Sequence, residues 1–231
     1  MNLSKRFFSR SLALMLATFL SFGAMANNNA FGDILYNNWT TPTGENQALD
    51  GSYLAQSFNT GATAETLTSV SVMIRTLGAS PSITYSMLLY GANGSNKPGA
   101  LLTTIGQKTL GGGVTPNQST TLPSPDFTFT ANYLLASASQ YFVVLKVDNT
   151  TSGDGMFWKN STSTPTNDIN ITPTPSYYSA ASSNGINWAG STGSNYNMVV
   201  TAVPEPSTSI LGAIGVMTMA YVAKRKRRSI A

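Results

Sequence analysis

The segment Tyr141-Phe142-Val143-Val144-Leu145-Lys146-Val147 constrains the fold more than any other part of the chain. At the two-residue period of a strand, Tyr141, Val143, Leu145 and Val147 share one face and Phe142, Val144 and Lys146 the other. A strand apolar on both faces is a poor surface element, so it predicts a central strand with structure packed on either side. Weaker, one-sided alternation surrounds it. Val70, Val72 and Ile74 alternate with Ser71 and Met73; Ile83, Tyr85, Met87 and Leu89 alternate with Thr84, Ser86 and Leu88; Phe127 and Phe129 alternate with Thr128 and Thr130. That pattern fits the outer layer of a sandwich. Residues 53–58, 155–159 and 196–203 complete the expected strands.

Turn chemistry separates these runs: Asp50-Gly51, Asn93-Gly94, Lys97-Pro98-Gly99, Gly111-Gly112-Gly113, Gly153-Asp154-Gly155 and Asn184-Gly185. No useful helical period interrupts them. The expectation is an all-β domain, a single jelly-roll-like β-sandwich of about seven to nine strands.

Both ends of the chain read differently. Lys5, Arg6 and Arg10 precede an apolar run over 12–22, and Ala24-Met25-Ala26 follows. A basic start, a short apolar stretch and small residues at −3 and −1 predict a signal peptide over 1–26, with the mature chain starting at Asn27. At the other end Val203-Pro204-Glu205-Pro206 leads into an apolar stretch over 207–223, closed by Lys224, Arg225, Lys226, Arg227 and Arg228 in the tail 224–231. The prolines fix where a helix can begin. The apolar stretch is at the lower edge of what spans a bilayer, and the basic cluster resists translocation. The expected layout is a signal peptide, a β-sandwich over 27–202 outside the cytoplasm, and a transmembrane helix with a cytoplasmic tail within 203–231.

The order Pro204-Glu205-Pro206, short apolar helix with Gly212 and Gly215, then an arginine-rich end resembles the PEP-CTERM sorting signal of Gram-negative bacteria. The signal peptide predicts export by the Sec machinery and the apolar stretch transient anchoring in the inner membrane; the resemblance implies processing by an exosortase at or near the motif. It also implies a place at the surface or in the matrix of cells that make exopolysaccharide. In the body, 54–61, 67–72, Leu88-Leu89-Tyr90, 97–102 and 133–145 resemble the choice-of-anchor R domain. That family implies surface display on a β-sandwich and supplies no catalytic or ligand residues.

The formal net charge of +4 belongs to the ends. Between 27 and 202 the cations are Arg75, Lys97, Lys108, Lys146 and Lys159, against Asp33, Glu45, Asp50, Glu65, Asp126, Asp148, Asp154 and Asp168. The body is mildly acidic and lacks the clustered Lys/Arg footprint of a nucleic-acid binder, so nucleic acid is not expected as a partner. The chain has no cysteine and no histidine. Disulfides, thiolate and imidazole metal sites, and Ser-His-Asp or Cys-His catalysis are thereby excluded. No cofactor and no metal are expected, and the reading is non-enzymatic.

Two kinds of residue still offer chemistry. Asp148, Asp154 and Asp168 are the nearest acids in sequence that a glycoside hydrolase would need as a pair, and Asp148, Asn149 and Asp154 are oxygen donors of the sort calcium takes. Both sets lie in turn sequences, where short acids cap their own backbone. Aromatic rings against sugar faces are the other resource, which makes a secreted carbohydrate-binding module acting on exopolysaccharide the alternative function. Trp39, Trp158, Trp188, Tyr177, Tyr178 and Tyr196 are the candidates. Trp158, in Met156-Phe157-Trp158, is expected inside, whereas Trp188, in the polar Asn184-Gly185-Ile186-Asn187-Trp188, is expected to be exposed. Trp188, Tyr177 and Tyr178 are the candidate sugar contacts.

Overall fold

The computed structural model describes residues 32–48, 50–76, 83–110, 127–149, 156–167, 178–191, 195–205 and 218. Their regular structure is antiparallel β in three sheets. Sheet I has the order β1-β14-β4-β8, with β1 Asp33–Asn37, β14 Met198–Pro204, β4 Glu65–Val72 and β8 Thr128–Leu135. Sheet II joins β13 Asn195–Tyr196, β10 Met156–Ser161 and β2 Gly44–Ala48, with β5 Ile74–Thr76 also pairing to β10. Sheet III has the order β12-β11-β3-β9-β6-β7, from β12 Ala189–Ser191 and β11 Ser179–Ser182 through β3 Tyr53–Asn59, β9 Gln140–Asn149 and β6 Ile83–Ala92 to β7 Pro98–Leu110.

The all-β expectation holds, with antiparallel sheets packed as a sandwich. The expected strand number does not: the described residues alone carry fourteen strands. Part of the excess comes from strands that change sheets. The alternation at 70–74 reads as one strand, but the ladder breaks at Met73, where the chain leaves β4 in sheet I and enters β5 in sheet II. Asn197 breaks the run 196–203 in the same way, between β13 and β14. The two breaks face each other. Met73 N–H donates to the Asn197 carbonyl at 3.0 Å, and Trp158 Nε1 donates to that same carbonyl at 3.1 Å. Bends of this kind let strands turn the corner of a sandwich.

One core fills the space between sheet III and the other two. Leu54, Phe58, Ile83, Tyr85, Met87, Leu89, Val143, Leu145 and Val147 come from sheet III, against Leu67, Val70, Val72, Phe129, Val200 and Ala202 of sheet I. Trp158 and Tyr196 of sheet II are stacked with centroids 4.7 Å apart and are buried in the same core. Strand β9 lies between β3 and β6 as its sequence requires. Its odd-numbered face enters this core, while Phe142 and Val144 enter a second cluster on the opposite face of sheet III, with Ala55, Leu88, Tyr90, Ala180 and Trp188.

Candidate functional site

Three places on the described surface carry chemistry. The first is the end of sheet I where the chain runs out toward its tail. Strand β14 pairs with β4 as far as Pro204, which lies opposite Glu65. Glu205 N–H donates to the Ala64 carbonyl at 3.1 Å, and Thr66 Oγ1 donates to the Glu205 carboxylate. Pro204 and Glu205 of the Pro204-Glu205-Pro206 run are therefore held against the folded body, with Glu205 exposed. Pro206, the apolar stretch apart from Thr218, and Lys224, Arg225, Lys226, Arg227 and Arg228 lie outside the described residues, as does the whole of 1–26. Among the described residues no helix is long and apolar enough to cross a membrane.

Glu65 is the unusual group at this end. It is 1% exposed, and among the described residues its Oε2 has no hydrogen-bond partner. Burial, with the nearby Asp33 charge, pushes its carboxyl up to about 7 against the pull of the Gly61 backbone amide. Sequence gave no sign of this, because the position of Glu65 opposite Pro204 exists only in the ladder.

The second place is the outer face of sheet III. Trp188, expected to be exposed, is buried, at 7% exposure. The loop before it explains the difference. Asn184 Oδ1 accepts from the N–H groups of Ile186 and Asn187, both at 2.9 Å, and Gly185 takes a φ of 69°. This tight turn swings the chain back over the sheet. Trp188 drops edge-on onto Tyr53 and Tyr90, at centroid distances of 6.2 and 6.0 Å, and Ile186 is left outside, 78% exposed. Tyr178 is half-buried against the same cluster, and Tyr177 lies outside the described residues. Beside Trp188 is an open depression of about 440 Å³ lined by Asn93, Lys97, Ile186, Asn187, Trp188 and Ala189. Lys97 Nζ donates to the Trp188 carbonyl at 3.0 Å across it.

The third place is charged. Glu45 of β2 accepts from Arg75 and from Lys159, the latter at 2.6 Å, and Arg75 lies 4.3 Å from the centre of the Phe157 ring. The Arg75 hydrogen bond, opposed by burial and assisted by Lys159, holds the Glu45 carboxyl at about 2. On sheet III, Asp148 pairs with Lys146 at 2.7 Å and accepts from Ser86 and Gln107. Burial pushes its carboxyl up, but those hydrogen bonds outweigh it and keep it below its ordinary value. Asp148 is thus a satisfied structural acid. Asp154 and Asp168, its proposed catalytic companions, lie outside the described residues. Among the described residues no group of acids is placed to hold a metal ion.

No family model matches the chain, and no curated protein matches it. Among solved structures it is similar to the crystal structure of infectious bursal disease virus VP2 subviral particle, with 10% identity and a TM-score of 0.27 over 84% of this chain and 49% of that one. The chain thus spans about half the length of that neighbour. At such a score the likeness carries no argument.

Proposed function

We propose that this chain is a non-enzymatic β-sandwich exported by the Sec machinery, held briefly in the inner membrane by 207–223, and processed by an exosortase at or near Pro204-Glu205-Pro206. Its destination is the bacterial cell surface or the extracellular matrix. A jelly-roll winding of the sandwich, the signal peptide over 1–26 and the membrane helix belong to the same proposal. The observation that carries it is where the folded strand stops: β14 ends at Pro204, on the rim of sheet I. The motif thus begins in the last residue of that strand and continues into the exposed Glu205, which puts it at the surface of the body, where a processing enzyme can reach it. Fractionation tests the reading. The full chain, expressed in its host, is expected at the surface or in the medium without its basic tail, whereas a chain with Lys224 to Arg228 replaced by serine is expected to be mislocalised. Identical distribution of the two would count against it.

A second reading, a carbohydrate-binding module for exopolysaccharide, is favoured by one observation, the depression beside Trp188 with its amides and its lysine.

A further inference from the structure

Lys97 differs from the other cations of the body. Arg75, Lys146 and Lys159 are each paired with a carboxylate, and Lys108 lies over the Phe129 ring at 5.1 Å. Lys97 is half-buried, and among the described residues its one acceptor is the neutral Trp188 carbonyl. An ammonium group has three donors, so further directions remain open for an anion. Among the described residues no carboxylate pairs with this cation, which stands at the edge of a concave surface.

The loops on either side of Lys97 are fixed in advance. Asn93 Oδ1 accepts from Ser95 N–H at 2.9 Å and Lys97 N–H at 3.0 Å, which locks the β6–β7 turn and leaves the Asn93 amide NH2 as a donor. Asn184 locks the opposite loop in the same way, and the Asn187 side chain there is exposed. Ile186 supplies an exposed apolar surface beside the mostly buried Trp188. A cation, two amides and an apolar wall on prearranged loops are the ingredients of a small polar-ligand site.

We propose that this depression binds an acidic saccharide, with a sugar carboxylate on Lys97, hydroxyls on Asn93 and Asn187, and the ring against Ile186 and the edge of Trp188. The inference rests on the carbohydrate reading and is independent of the sorting one. A neutral sugar leaves Lys97 unanswered, and a bare anion leaves the amides and the apolar wall unused; a carboxylated sugar ring uses all of them.

Calorimetric titration of the full chain, purified in detergent, with trigalacturonate, maltotriose and sodium acetate tests it. Trigalacturonate is expected to bind, with affinity lowered roughly tenfold or more in Lys97→Met, as for loss of a hydrogen bond to a charged group. Lys97→Arg is expected to retain it. Asn187→Ala, whose side chain makes no hydrogen bond among the described residues, is expected to weaken it several-fold while leaving the melting temperature unchanged. Equal affinity for maltotriose would overturn the acidic specificity and leave the carbohydrate reading standing. Displacement by acetate at matching concentration would reduce the site to a simple anion site. Failure of both sugars to bind would overturn the proposal together with the carbohydrate reading.

Discussion

Glu65 is a carboxylate that the fold buries with no cation beside it among the described residues, and its consequences for stability have a definite sign. Its folded value of about 7 lies above the ordinary 4.5, so the folded chain holds a proton that the unfolded chain releases. Its contribution is fully favourable below about pH 4.5 and is lost as pH rises to about 7, a swing of at most about 3 kcal/mol. Urea midpoints taken at pH 5 and pH 8 should fall with pH in the native protein and stay level in Glu65→Gln. A native protein with no such fall would show that Glu65 is better solvated than its burial indicates. Glu45 has the opposite sign: its value of about 2 gives stability that is present above pH 4.5 and lost toward pH 2. With side chains 24% to 27% exposed for Glu45 and Arg75, that pair is worth well under about 1 kcal/mol.

Trp188 shows how far single residues could be read from sequence. Its polar neighbours suggest exposure, yet the turn fixed by Asn184 reverses the chain and buries the ring while exposing Ile186. The composition of a loop does not report which of its side chains points inward. Trp158, flanked by Met156 in an alternating run, was legible as core and is fully buried. Replacing either with alanine should destabilise the protein. Trp158→Ala is expected to cost about 4 kcal/mol by chemical denaturation. Trp188→Ala, in the smaller cluster, should cost less.

At the scale of elements, period two was a good guide wherever one strand kept one environment. Strands β3, β4, β6, β9 and β14 all lie within the alternating runs or close to them. Strand β7 was missed although it has thirteen residues. Its pairing with β6 shifts register between Met87/Leu88, Leu89/Tyr90 and Tyr90/Ala92, and each shift resets which face a residue occupies, erasing the alternation. As the edge of sheet III, it gains from such irregularities, which discourage pairing with another chain. Strand β2 was missed for another reason: Gly-Glu-Asn-Gln-Ala is almost wholly polar because most of it faces solvent.

The paired breaks at Met73 and Asn197 are the element-scale feature most open to test. Asn197 Nδ2 donates to the Thr40 carbonyl at 2.7 Å, and the side chain is fully buried. Asn197→Ala should cost about 1 to 3 kcal/mol by leaving that carbonyl unsatisfied. A near-neutral result would show that water replaces the amide. Gly106 is constrained as well, since a Cβ there would lie 2.8 Å from Phe129 Cδ1. Gly106→Ala should cost about 1 to 3 kcal/mol through overpacking, measured as a lowered urea midpoint.

For the molecule as a whole, the body and the tail meet at the end of β14, where Pro204 completes the ladder with β4 and Glu205 is held by Ala64 and Thr66. The Pro204-Glu205-Pro206 run stands in the sequence; its pairing with the end of an inner strand pair does not show there, because Ala64, Glu65 and Thr66 lie more than a hundred residues away in the chain. The central claim concerns what happens at this junction. The most direct measurement is the intact mass of the mature protein from surface and medium fractions of its host, beside that of a Glu205→Gln variant. Processing predicts a native mass beginning at Asn27 and ending near Pro206, with the variant retaining Lys224 to Arg228 in the membrane. A native protein that keeps its basic tail would contradict the claim and leave an ordinary membrane-anchored sandwich.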